Sequence, residues 1–122
     1  MKDELITFST AKLAKEKGFR ELCKYGYGKK GELRWFDEDA NFNFYKGTYV
    51  QLSAPTQSLL QRWLRDEKNI SVEVKLNFNI NYFNWAVYQI KPQNVICCQK
   101  VVGLYTYEEA LENGLQEALK LI

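Results

Sequence analysis

The hydrophobic and polar positions of this chain change period several times, and each change marks an element. From Ile70 to Leu76 the alternation is strict: Ile70, Val72, Val74 and Leu76 fall on one side, Ser71, Glu73 and Lys75 on the other. That pattern predicts a half-buried strand of an antiparallel sheet. Immediately upstream the period is helical. Leu59, Leu60, Trp63 and Leu64 recur on one face, with Gln61, Arg62, Arg65 and Asp66 opposite. Pro55 fits the first turn of that helix, Ser53 or Thr56 supplies its cap, and Asn69 suits its exit.

The rest of the chain follows by the same reasoning. Ser9 or Thr10 caps a first helix over residues 11–17, which Gly18 ends in a left-handed conformation. Residues 20–25 read as a short helical turn that Gly26, Gly28 and Gly31 interrupt. Glu32–Phe36 and a stretch within Phe42–Leu52 read as strands, joined by a charged turn at Asp37, Glu38 and Asp39. Asn77–Asn81 reads as a turn, Tyr82–Ile90 as the partner of the 70–76 strand, and Val95–Leu104 as a further strand beyond Pro92. Thr106 and Glu109 have capping-box spacing. They open a third helix whose apolar face is Tyr107, Ala110, Leu111, Leu115, Ala118, Leu119 and Ile122. Gly114 lies in that stripe, where close packing on a strand explains it. The expected architecture is α+β: a single domain, residues 1–122, with an antiparallel sheet of four or five strands and about three helices packed on it.

Composition narrows the function more by exclusion than by pointing. With 122 residues, 46% hydrophobic and 26% charged, the chain is sized for one modest core. It has no histidine, which removes the commonest general base and the imidazole-based zinc motifs. Its three cysteines, Cys23, Cys97 and Cys98, do not form a secreted disulfide framework, and adjacent thiols on a strand point to opposite faces. The charged opening Met1–Leu5 does not resemble a signal peptide, and no apolar run reaches the roughly 20 residues of a membrane span. The expectation is a cytoplasmic protein without membrane association.

Net charge is +2, yet it is unevenly placed. Residues 1–31 hold eight Lys/Arg against four Asp/Glu, and residues 101–122 hold one Lys against four Glu. The basic N-terminal region offers Lys12, Lys15, Arg20, Lys24, Tyr27, Lys29 and Lys30 as candidate nucleic-acid contacts, cations interleaved with a stacking ring. Gly26, Gly28 and Gly31 match a Gly-x-Gly-x-x-Gly pattern but lack the preceding buried strand and following helix of a phosphate cradle, so they read as a turn. Asp37, Asp39 and Asn41 alternate as oxygen ligands would, without the glycine and later glutamate of a calcium loop. No catalytic, cofactor-binding or metal-ligating set is assigned.

Three blocks carry a resemblance: Ala54-Pro-Thr-Gln-Ser-Leu-Leu-Gln-Arg-Trp-Leu-Arg65 with the alternating strand that follows it, Ser9-Thr-Ala-Lys-Leu-Ala-Lys-Glu-Lys-Gly-Phe19, and Thr106 to Ile122. Together they resemble small uncharacterised proteins encoded by phages, prophages and related mobile elements of bacteria. The resemblance implies a bacterial or phage cytosolic protein and brings no activity or site residue. The expected function is a non-catalytic accessory or protein-interaction module, using an aromatic sheet face or the basic region. Its partner would be another protein or a second copy, with nucleic-acid binding as the alternative.

Overall fold

Residues 4–43, 52–77, 82–98 and 106–122 are described by the computed structural model. They are α+β, with three helices and two antiparallel three-stranded sheets. The expected single sheet of four or five strands is thereby corrected. Each sheet is assembled from strands close in sequence, as short connections favour, and the chain groups into two compact units, Met1–Thr56 and Gln57–Ile122.

In the first unit, α1 (Phe8–Glu16) starts earlier than expected. Thr7, in extended conformation, is the cap, and its side chain accepts from the Thr10 amide at 3.4 Å. Gly18 ends the helix as expected, at φ 89°. The Gly18 amide donates to the Lys15 carbonyl at 3.1 Å and the Phe19 amide to the Ala14 carbonyl at 3.0 Å, the bond pair of a Schellman motif. Residues 23–25, read as helical, instead begin β1 (Cys23–Tyr27), which pairs on one side with β2 (Leu33–Ala40) and on the other with β3 (Leu52–Ser53). A central strand in this sheet outweighs local propensity because both of its edges are hydrogen-bonded.

The acidic residues Asp37, Glu38 and Asp39 lie inside β2 rather than in a turn beyond it. They stand where the register breaks: Tyr25 pairs with Trp35 and Cys23 with Ala40, so residues 36–39 bulge opposite Lys24. Buried polar groups hold the 41–43 turn. Asn43 donates to the Phe19 carbonyl and accepts from the Ser53 amide, both at 2.9 Å, while the Ser53 hydroxyl accepts from the Phe42 amide at 3.0 Å. Residues 44–51 of the expected second strand lie outside the described residues.

The second unit follows its periodicity closely. In α2 (Gln57–Lys68), Leu60, Trp63 and Leu64 are buried. Asn69 turns the chain at φ 59° into β4 (Ile70–Asn77), which pairs in unbroken register with β5 (Tyr82–Gln89). β6 (Asn94–Cys98) completes the order β4-β5-β6, with a register shift that leaves Ile96 unpaired between Val95 and Cys97. The expected continuation of β6 to Leu104 and the centre of the Asn77–Asn81 turn lie outside the described residues.

Thr106 caps α3 (Tyr107–Lys120), accepting from the Glu109 amide at 3.1 Å. Ala110, Leu111, Leu115, Ala118 and Leu119 are buried beneath it. Gly114 is the closest approach of helix to sheet: a Cβ there would stand 2.7 Å from Val72 Cγ1 and 3.2 Å from Trp85 Cβ. This confirms the packing reason for the glycine.

Candidate functional site: the open face of the second sheet

Register assigns the faces of the β4-β5-β6 sheet. Opposed residues of an antiparallel pair share a face, so Ile70, Val72 and Val74 lie with Gln89, Val87 and Trp85. This is the face on which α3 packs, and Val72 and Val87 are fully buried. Phe83 joins it, its ring meeting Tyr107 edge-on at 6.1 Å. The opposite face carries Ser71, Glu73 and Lys75 from β4 and Tyr88, Ala86 and Asn84 from β5. The aromatics of β5 are thus divided: Phe83 and Trp85 lie toward the helix, and Tyr82 and Tyr88, both half-buried, lie on the other side.

That opposite face holds an open groove of about 590 Å³, bounded by Arg65 from α2, by Ser71, Glu73, Lys75 and Tyr88, and by Gln93 near the β5–β6 turn. One end is tied by hydrogen bonds between Asn69 and residues 90–91. Asn69 donates to the Lys91 carbonyl at 2.9 Å and accepts from the Lys91 amide at 3.1 Å, and its own carbonyl accepts from the Ile90 amide at 3.0 Å. Alongside, Gln61 of α2 donates to the Val72 carbonyl at 2.6 Å, filling an acceptor on the outer edge of β4.

The groove is chemically unspent. Among the described residues, Arg65, Glu73 and Lys75 make no ion pair, and the hydroxyls of Ser71 and Tyr88 make no hydrogen bond. Asn84, the cross-strand partner of Lys75, has a buried side-chain oxygen that receives no hydrogen bond among the described residues. The groove therefore presents two cations, one carboxylate and several neutral polar groups. Sequence reading put these residues on the polar side of their elements but did not gather them. The available signal was the Ser71–Glu73–Lys75 row, on a strand with just one helix-facing side.

The seven basic-region candidates are only partly gathered. Lys12 stacks on Phe8, its Nζ 4.4 Å from the ring centroid, and Phe8 meets Tyr27 edge-on at 5.6 Å. Phe8 also lies against Gly31, whose positive φ of 88° helps close the β1–β2 turn carrying the exposed Lys29 and Lys30. Those contacts bring Lys12, Tyr27 and the turn together. They do not extend to Lys15 and Arg20, which flank Gly18, or to Lys24 opposite the acidic bulge. The Tyr27 hydroxyl donates to the Ile6 carbonyl at 2.6 Å, which fixes the ring as a packing group. The exposed ring of this hairpin is instead Trp35, 59% accessible, on the same face as Tyr25. Gly26 lies within β1, paired with Arg34 and Ser53, and Gly28 and Gly31 lie in the turn to β2, the arrangement of a hairpin and not of a strand–helix phosphate cradle.

None of the three thiols forms a disulfide. Burial pushes the Cys23 thiol up to about 12; hydrogen bonding to Ser53 opposes the rise, and Asp39 and Glu21 add to it. Cys97 lies opposite Val87 and Cys98 opposite Ala86, on the two faces of the sheet. Among the described residues, no group of three or more Cys, Asp or Glu is placed to hold a metal ion, and no helix is long and apolar enough to cross a membrane. Comparison with known proteins adds nothing to this geometry: no protein-family model, curated protein or solved structure matches the chain.

Proposed function

We propose that the protein is a non-catalytic interaction module that engages its partner through the open face of the β4-β5-β6 sheet. The observation that carries this reading is the groove itself, where Arg65, Glu73 and Lys75 stand exposed without an ion-pairing partner among the described residues. A polar groove on a hydrogen-bonded sheet gives the mixed rim of a transient protein interface. The two outer strands support a face rather than an edge as the contact: the bulge at Ile96 disrupts the ladder at β6, and Gln61 already fills the Val72 carbonyl of β4. The sequence blocks at 9–19, 54–74 and 106–122 support placing the protein among cytosolic proteins of bacterial mobile elements.

The test is site-specific photocrosslinking in the source cells, with the reactive side chain at Lys75 or at Asn113 on the exposed side of α3. A discrete adduct from position 75 and none from 113 is expected. Equal labelling from both positions, or none from 75, rejects the reading.

Nucleic-acid binding by the β1–β2 hairpin is the second reading. The specific observation in its favour is that Phe8 links Lys12 of α1 to the turn carrying Lys29 and Lys30, in a hairpin that also exposes Trp35. Against it, Asp37, Glu38 and Asp39 are exposed just beyond Trp35 on the same strand and repel phosphates. Retention on single-stranded DNA at low salt, lost in a Lys29→Glu/Lys30→Glu variant, would restore it.

A further inference from the structure

The charges of the groove specify its ligand more closely than the face alone does. Arg65 and Lys75 are exposed cations without an ion pair among the described residues, and Glu73 lies between Ser71 and Lys75 on the same row. A ligand of evenly spaced phosphates would meet Glu73 as well as the cations, and like charges in contact are unfavourable. A peptide places its charges at intervals and can set a neutral residue opposite Glu73. Alternate residues of a strand lie roughly 6–7 Å apart, in β4 and in an extended peptide alike, so such a segment keeps step with the row.

We propose that the groove takes an extended acidic peptide segment of a partner protein, with carboxylates engaging Arg65 and Lys75 and a neutral residue opposite Glu73. This rests on the reading of the open face as the interaction surface and adds the chemistry of the partner. The guanidinium of Arg65 suits a carboxylate in a bidentate pair, whereas Lys75 acts as a point charge.

The experiment is fluorescence anisotropy of a dye-labelled, N-acetylated peptide with Glu at every fourth position and Ser between, which in extended form can set a neutral side chain opposite Glu73, titrated with the full chain. Saturable binding at about 20 mM salt, weakened at least fivefold at about 300 mM, is expected for exposed ion pairs. Arg65→Glu and Lys75→Glu should each weaken binding by about tenfold or more, Lys75→Gln by less, and Glu73→Gln should tighten it about threefold. All three positions are exposed charges, and circular dichroism checks that the variants keep the fold. Absence of saturable binding at low salt overturns the proposal, as does equal binding by the reversed variants. Tighter binding of a single-stranded oligonucleotide at the same two cations overturns it in favour of a phosphate ligand. A position-75 crosslink to a partner without an acidic segment would overturn the peptide chemistry while leaving the interaction face standing.

Discussion

In the Met1–Thr56 unit the irregular parts of the chain are tied down by side-chain amides and hydroxyls, whereas the Gln57–Ile122 unit is held by apolar periodicity. Asn43 and Ser53 join the Phe19 carbonyl, the Phe42 amide and β3 in one buried network. In the second unit, Leu60, Leu64, Leu115 and Leu119 are fully buried beside Val72 and Val87, and hydroxyl and amide groups serve mainly at element ends. Each sheet also breaks register at one of its two outer strands, at residues 36–39 of β2 in one and at Ile96 of β6 in the other. Such breaks discourage edge-to-edge pairing. What differs is the exposed chemistry that remains: a hairpin of mixed sign in the first unit, and an unpaired polar groove in the second.

The contrast is broken most severely by emptying the apolar core. Leu64→Ala removes a fully buried side chain and should lower stability by about 2–5 kcal/mol, read as a shift of the urea midpoint with loss of amide protection in residues 57–122. Asn43→Ala strikes the other kind of support. It removes the acceptor of the buried Ser53 amide and should cost roughly 1–3 kcal/mol for that group left unpaired, with the loss of hydrogen-exchange protection centred on Ser53. Gly114→Ala gains about 1 kcal/mol of helix propensity, but its Cβ meets the stiff side chain of Val72 at 2.7 Å. The clash should exceed the gain and give a net loss of about 1 kcal/mol, the reverse of alanine substitution at an exposed helical glycine.

Smaller effects separate the units by chemistry. The folded-state pKa of Cys23 is raised, so the unfolded chain releases this proton first as pH rises. Stability contributed by the neutral buried thiol is complete below about 9, its ordinary value, and falls as pH rises toward about 12. A Cys23→Ala variant should lose that alkaline slope in denaturation curves taken across this window. The same burial predicts that a thiol reagent modifies the exposed Cys98 readily and Cys23 only on opening of the first unit. At the bottom of the scale, reversing both Arg65 and Lys75 should change stability by less than about 0.5 kcal/mol, since neither side chain has an intramolecular ion pair among the described residues.

The same difference decides what could be read from the sequence. The strand from Ile70, the helix from Gln57, the Asn69 exit, the Thr106 cap and the reason for Gly114 all follow from spacing, because one period and one buried face determine them. The first unit defeats that approach at particular residues. Cys23–Tyr27 has two tyrosines and a glycine in no clear period, and becomes a strand because β2 and β3 pair with both of its edges. Asp37–Asp39 looks like a turn, yet belongs to a bulged strand. Thr7 displaces Ser9 and Thr10 as the cap, a choice among three hydroxyls that spacing leaves open. For the candidate site, the Ser71–Glu73–Lys75 row was legible and the groove was not. Arg65 comes from another element, and the side of the sheet that α3 takes is a property of topology rather than of any local pattern.

The most direct measurement sets the two exposed surfaces against each other. Position-75 crosslinking in the source cells is repeated with Arg65→Glu/Lys75→Glu, the reactive group moved to Ser71, and with Lys29→Glu/Lys30→Glu. Loss of the adduct in the groove variant and its persistence in the hairpin variant is the result predicted for an interaction module working through the second sheet. An adduct that survives reversal of the groove and disappears on reversal of the hairpin would contradict it.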